Sequence, residues 1–344
     1  MREMSQIDII LAMQVGELGE FGLIELLSHT APPGDESHRI LVGIGDDAAV
    51  WRGDDRAVLA TTDALVEGVH FTPATPWYDL GWKALVTGLS DVAAMGGLSR
   101  YALVALALTD RTEVDDVSRL YAGMAEAAVR FDVAIVGGNI SRAAVTVITV
   151  TVIGRVEEDR ILTRSAARPG DLIAVTGYLG SSAAGMRTLA LEPDFSEELR
   201  DLLLAAHRRP LPRIACGRHF AAAGVKTAID ISDGLIADLG HVCQSSKVGA
   251  TVWADRVPVH PKVREAFPHR YLDLALGGGE DYELLFTASP EIMEGATVSW
   301  HPPELCPVTI IGETTVGQSI TVLREYGQPY VSESKGWDHF RKGE

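Results

Sequence analysis

Apolar positions recur along the chain with two periods, about 3.6 residues and about 2, which predict helices and strands respectively. Between Gly16 and Ser28, Leu18, Phe21, Leu23, Ile24 and Leu27 fall at helical spacing, and Ala31-Pro32-Pro33-Gly34-Asp35 stops that element. Strand-like runs follow at Arg39 to Ile44 and Ala57 to Thr62, on either side of a polar turn at Arg52-Gly53-Asp54-Asp55. Asp79 is the predicted cap of a helix from Leu80 to Met95, closed by Gly96-Gly97. The pattern then gives a strand, Tyr101 to Thr109, and a helix, Val114 to Phe131, whose Leu120, Met124, Ala127 and Ala128 form an apolar face. Two further strands, Asp132 to Val136 and Ala143 to Val156, are expected on either side of a turn at Gly137-Gly138-Asn139.

The second half opens with a strand, Leu172 to Thr176, and helices from Ser181, from Glu197 to His207 and from Arg213 to Ala223. Lys226 to Ile231 reads as a strand running through Ser232-Asp233-Gly234 into a helix, Leu235 to Ser246. Strands are predicted again at Ala250 to Trp253, Tyr282 to Phe286, Pro307 to Ile311 and Ile320 to Leu323. This alternation describes an α/β chain. At 344 residues it exceeds the size at which one core stops growing. Two domains are expected, residues 1–156 and 157–344, with Glu157-Glu158-Asp159-Arg160 as the link.

Composition narrows the function classes. The formal net charge is −17, so no basic stripe is available to replace the counterions of a nucleic acid. Cys216, Cys243 and Cys306 form no CxxC or metal-finger spacing, which suits a reducing, cytoplasmic compartment. The most apolar run, Ala143 to Ile153, is too short to span a bilayer as a helix. Residues Met1 to Gln14 carry Arg2, Glu3 and Asp8 and lack a leader's cleavage pattern.

The candidate chemistry lies in acids placed where strands or helices end: Asp46 and Asp47 in Gly43-Ile44-Gly45-Asp46-Asp47, Asp63 after Thr61-Thr62, Asp91 in a small-residue helix, and Asp230 and Asp233 around Ser232. Each alone has an ordinary reading as a turn residue, an exposed helical acid or an N-cap. Set together they are costly, because two like charges about 4 Å apart repel by roughly 4 kcal/mol at an effective dielectric near 20. Several such sites in apolar surroundings therefore point to a polynuclear metal centre of hard oxygen ligands, suited to Mg²⁺ and phosphate. Gly137-Gly138-Asn139 and Gly277-Gly278-Gly279-Glu280-Asp281 are glycine-rich segments able to approach a phosphate. No GxxxxGK[ST] motif occurs, which excludes a P-loop kinase.

Taken in order, these motifs resemble the thiamine-monophosphate kinase family, within the superfamily that includes aminoimidazole ribonucleotide synthetase and selenophosphate synthetase. The matching strings include Gly19-Glu20-Phe21, Glu67-Gly68-Val69-His70-Phe71, Leu89-Ser90-Asp91-Val92-Ala93-Ala94-Met95-Gly96-Gly97, Leu162-Thr163-Arg164-Ser165, Asp230-Ile231-Ser232-Asp233-Gly234-Leu235, Gly278-Gly279-Glu280-Asp281-Tyr282-Glu283-Leu284 and Lys335-Gly336-Trp337-Asp338-His339-Phe340. The resemblance implies mixed-sheet α/β domains, an N-terminal domain that dimerises, and Mg-assisted, in-line transfer of the γ-phosphoryl group of ATP to thiamine monophosphate. By the same resemblance Asp47, Thr61, Thr62, Asp63, Asp91, Asn139, Asp230 and Asp233 bind Mg²⁺, the Asp residues among them being catalytic. Asn139 stands where many relatives carry Asp, so as a ligand it would add no charge. Tyr121, Gly138, Asn139, Arg164 and Ser232 are expected at ATP, and His70, Glu280 and Trp337 at the acceptor. Two other readings remain open at this point: a member of the superfamily with a different acceptor, and a nucleotide- or metal-binding regulator without turnover. No reactive Cys precedes Gly43, which distinguishes the chain from selenophosphate synthetases.

Overall fold

A computed structural model of the chain describes residues 22, 24, 38–301 and 306–332. Two six-stranded mixed sheets organise it, one in each half. The first comprises β1 (Ile40–Val42), β2 (Ala49–Arg52), β3 (Ala57–Val66), β4 (Leu98–Leu108), β5 (Ala134–Arg142) and β6 (Val147–Val156). Their spatial order is β1-β2-β3-β6-β4-β5, with β4 and β5 parallel and the other neighbours antiparallel. Helices α1 (Trp77–Ala94) and α2 (Val114–Arg130) cover one face. Strand alternation supplies the apolar layer beneath them, with Leu59, Leu65, Val104, Leu106, Ile148, Val150 and Val152 pointing inward.

Two expectations need correction here. Asp79 lies inside the first turn of α1, and Pro76 takes the N-cap position without a side-chain cap. Gly137-Gly138-Asn139 is no turn, because all three residues belong to β5 and pair along β4. The physical reason is a close approach: a methyl group on Gly138 would lie 1.7 Å from the Val104 carbonyl oxygen. There glycine permits strand contact where the sequence reading expects punctuation.

The second sheet contains β7 (Leu172–Thr176), β8 (Thr227–Ile231), β9 (Gly249–Trp253), β10 (Glu283–Ala288), β11 (Val308–Thr315) and β12 (Ile320–Leu323). Its order is β12-β9-β11-β7-β10-β8. Helices interleave as α3 (Ser181–Leu191), α4 (Glu197–Arg208), α5 (Ile214–Ala222), α6 (Leu235–Ser246), α7 (Pro261–Ala266), α8 (Tyr271–Gly277) and α9 (Pro290–Ser299). Both faces of this sheet are buried, so its central strands read as continuous apolar runs. Leu285 and Ile229 face one core, while Leu284, Phe286 and Ala228 face another, where the Phe220 and Phe286 rings stack at 4.4 Å.

The two halves meet along α1. Its terminal Ala93 and Ala94 belong to the same core as Phe220 and Phe286. Helix α5 crosses so closely that a methyl group on Gly217 would lie 2.0 Å from the Ala93 carbonyl oxygen. Among the described residues, no helix is long and apolar enough to cross a membrane.

Candidate active site

Helix α1 carries the first part of the site. It is buried on nearly every side, as a helix apolar all round should be, yet it contains Lys83, Thr87, Ser90 and Asp91. These positions, i, i+4, i+7 and i+8, form one stripe. Ser90 Oγ donates to Asp230 Oδ2 at 2.7 Å, and Lys83 Nζ lies 2.6 Å from Glu280 Oε1. Two points on the stripe thus reach into the second half of the chain.

Asp91 faces β3. Its Oδ2 accepts a hydrogen bond from Thr61 Oγ1 at 2.6 Å, and the Asp63 carboxyl lies close enough to interact with it electrostatically. The sequence reading places Asp63 at a strand end, whereas it lies within β3, three residues before Val66. The pleat explains the pairing: Thr61 and Asp63 point toward α1, and Thr62 points away, its hydroxyl 3.0 Å from Thr151 Oγ1. The Thr62 side chain is therefore held outside the cluster.

Oxygens of Asp47, Asp91 and Asp230 all lie within 4.8 Å of one another. Asp47 comes from the loop before β2 and is tied by Arg164, whose Nη2 donates to its Oδ1 at 2.5 Å. The Arg164 main-chain N–H donates to Asp46 Oδ2 at 3.1 Å. Arg164, expected at ATP, thus anchors the acidic loop.

Burial raises the pKa of every acid here, and neighbouring carboxylates add to it at Asp46, Asp63, Asp91 and Asp230. Asp46 is pushed up to about 6 by burial and Asp47, and Asp230 to about 8 by burial and Asp47, against the Ser90 hydrogen bond. Asp47 and Asp63 are raised as well, and Asp91 stands well above the usual carboxylate range through burial, Asp63 and Asp230. Asp47 Oδ2 is buried without a hydrogen-bond partner. Arg164 supplies one positive charge to this set of carboxylates, and a hard divalent cation that prefers oxygen fits the rest.

Beside it, Asp233, Asp238 and His241 bring ligand atoms within 4.8 Å of one another. Asp238 is buried and accepts the main-chain N–H groups of Asp233 and Gly234, fixing the turn into α6. Sequence reasoning singles out neither Asp238 nor His241. The available signal was an acid beside Leu235, Leu239 and Val242, on a face otherwise apolar.

At the N-terminal end of α1 a small cleft is lined by His70, Phe71, Lys83, His207 and Arg208, among others. His70 Nδ1 accepts the Val66 N–H at 2.9 Å. His207 Nδ1 lies 3.4 Å from Glu280 Oε2 and 3.1 Å from Ser182 Oγ. Burial and then Lys83 lower the His207 pKa to about 4, so its imidazole is neutral at pH 7. Burial raises the Glu280 carboxyl, but Lys83 and His207 outweigh it and leave its pKa below the usual value. Its main-chain N–H donates to the Ser232 carbonyl at 2.7 Å, linking cleft and acidic cluster.

Three expected ATP residues lie elsewhere. Gly138 and Asn139 are exposed on β5, at the sheet edge, and Tyr121 is half-buried on α2 against the first core. Asn139 pairs with Ala105, Ala105 with Thr149 and Thr149 with Ala64. It is thus three strand spacings, roughly 14 Å, from the row beside Asp63. Trp337 lies outside the described residues.

The AIR synthase related protein N-terminal domain family matches residues 45–156, and the corresponding C-terminal domain family matches residues 168–324. A thiamine-monophosphate kinase of Aquifex aeolicus is 37% identical over 331 residues, spanning 95% of this chain and 100% of its own length. One of Bacillus subtilis is 34% identical over 334 residues, 94% of this chain and 100% of its own. A solved structure of AaThiL complexed with AMPPCP and TMP superposes with a TM-score of 0.83 at 36% identity, covering 95% of this chain and 99% of that one.

Proposed function

The chain belongs to the thiamine-monophosphate kinase family, and on that premise we propose that it transfers the γ-phosphoryl group of ATP to the phosphate of thiamine monophosphate, giving thiamine diphosphate and ADP. The observation in its own fold that supports this reading is the convergence of Asp47, Asp91 and Asp230, together with a cleft lined by His70, Lys83 and His207, the last two of which contact Glu280. Two phosphorylated ligands are brought together by an acidic protein, so cations must mediate between carboxylates and phosphates.

In this reading Asp47, Asp63, Asp91, Asp230 and Asp233, with Thr61 beside them, hold Mg²⁺, and residues 1–156 supply the larger share of the ligands. Bound Mg²⁺ supplies the charge neutralisation that lets donor and acceptor phosphates approach in line. Arg164 keeps Asp47 oriented, and Ser90 keeps Asp230 oriented across the boundary between the halves. The attacking phosphate oxygen is already largely ionised near neutral pH, with a second pKa of about 6, so no side chain need act as a general base.

Tyr101, Leu103, Val136 and Ile140 stay exposed on or beside the uncovered face of the first sheet. A homodimer formed through these strands would bury them and bring Gly138 and Asn139 of β5 toward a neighbouring protomer. Sedimentation of the purified protein at micromolar concentration is expected to give a dimer, and a monomer there would reject this assembly.

The activity test is direct. Purified protein with ATP, Mg²⁺ and thiamine monophosphate is expected to form thiamine diphosphate and ADP in equal amounts, and none in EDTA. Saturable Mg-ATP binding with no diphosphate formed would reject the kinase reading. Turnover with another acceptor would then favour a different member of the superfamily, and turnover with none a regulator.

A further inference from the structure

Lys83 is the one lysine that the fold buries among the described residues, with 5% of its surface exposed. Nothing in the phosphoryl-transfer scheme requires it, and a lysine is seldom buried without a specific partner. Its partner is Glu280, 2.6 Å away, on the loop between α8 and β10 in the other half of the chain. Glu280 is also one of six non-glycine described residues with a positive φ, at +64°, a conformation that costs energy unless its surroundings impose it. Those surroundings are visible: its N–H is fixed on Ser232, Oε1 on Lys83, and Oε2 lies near His207, which Ser182 in turn contacts. Yet 25% of its side chain remains exposed. Lys83 and His207, the two groups beside the carboxylate, both line the cleft.

We propose that Lys83 is a positioning residue for the acceptor. Its ammonium, delivered by α1, fixes the Glu280 carboxylate at the cleft, with lone pairs left to receive an N–H group or to face the cationic ring of the acceptor's heterocycle. The proposal rests on the kinase reading above. It deepens that reading by making acceptor recognition depend on contact between the two halves. A carboxylate oxygen has room for both bonds, since each oxygen offers about two acceptor directions. Because the bond to Lys83 is charge-assisted, its loss frees the carboxylate to turn and weakens the interaction it makes with substrate.

The test is Lys83→Met, which keeps the length of the side chain and suits a buried position. KM for thiamine monophosphate is expected to rise about 10- to 30-fold, with KM for ATP and kcat changing less than about threefold. Unphosphorylated thiamine, used as a competitive inhibitor, should lose affinity by the same factor, because the contact serves the ring. In a double-mutant cycle, Lys83→Met should add little to the defect of Glu280→Gln. If Lys83→Met does not fold, Lys83→Gln, which can still donate one hydrogen bond, should show the same split at smaller amplitude. An unchanged KM for thiamine monophosphate, an equal rise in KM for ATP, additive effects in the cycle, or a loss confined to phosphorylated acceptors would each overturn the proposal. Wild-type turnover is measured first. A wild type that forms no thiamine diphosphate rejects the kinase reading, whereas an active wild type with an unaffected variant rejects the role of Lys83 alone.

Discussion

Replacing Asp91 by Asn is expected to lower kcat by at least about 100-fold to 1,000-fold, the loss typical of removing one group that stabilises transition-state charge. The same substitution should raise the melting temperature of the metal-free protein at pH 7. Both effects come from one position. Asp91 lies among Asp47, Asp63 and Asp230, and burial with these neighbours holds its carboxyl well above its ordinary value of 3.8. A raised carboxyl in the folded state costs stability as pH climbs above the unfolded value, until the folded value is passed. The advantage of the Asn variant should therefore open above about pH 4, grow with pH and disappear on acidification. Asn retains an oxygen for Thr61, so that local hydrogen bond survives. With Mg²⁺ the order should reverse, because the wild type gains more from binding the cation. Melting curves in EDTA and in Mg²⁺ across pH 4 to 8, beside the turnover assay, check all of this. A variant that turned over normally, or melted below the wild type in EDTA, would remove Asp91 from the metal-binding role proposed here.

Arg213→Met is expected to be the most destabilising single change outside the site, by about 3 to 5 kcal/mol, the range for removing one partner of a buried ion pair. Arg213, in the turn leading into α5, donates through Nε to Glu283 Oε2 at 2.6 Å and through Nη2 to Oε1. Glu283 opens β10 and is buried, and its Oε2 also accepts from Thr176 Oγ1 at 2.6 Å. That hydroxyl accepts the Leu284 N–H at 2.8 Å, so the pair is built into the centre of the second sheet. Burial alone would lower the Arg213 pKa, and Glu283 more than reverses it. Loss of the guanidinium strands a carboxylate that water cannot reach. The double variant Arg213→Met, Glu283→Gln should recover more than half of the loss, because a neutral amide still accepts from Thr176. Urea denaturation of the three proteins decides it: a single-variant loss below about 1 kcal/mol, as for a surface pair, would refute the assignment.

Much of the second half was legible in the chain. Strands Leu172–Thr176 and Ile320–Leu323 and helix Leu235–Ser246 occur at the bounds that their patterns predict. Each is short, continuous and bracketed by polar or turn residues, so local preference and tertiary demand agree. The sequence pattern assigns no helix to α7, α8 or α9. Two of them begin at Pro261 and Pro290, each preceded by a side chain that accepts from the next turn, His260 and Ser289, and those signals were present. The first half was harder to read at Asp63 and Gly138, where a strand continues through residues that usually end one.

By itself the sequence determined the α/β class and singled out Asp46, Asp47, Asp63, Asp91, Asp230 and Asp233 as candidates, because strand alternation, helical spacing and carboxylate chemistry are local properties. It could not show that Lys83, Ser90 and Asp91 share one buried stripe facing two different partners, since an acid or lysine in a helix normally points to water. Nor could it show that the hydroxyls of Thr61 and Thr62 point to opposite faces of β3, or that Arg164 grips Asp47 across 117 positions. Those facts belong to the tertiary structure. Ser90 and Asp230 are 140 residues apart, and only the packing of the second sheet against α1 closes that distance. Charges that water would screen on separate segments then lie in one enclosed space, and that repulsion is what the proposed Mg²⁺ would offset.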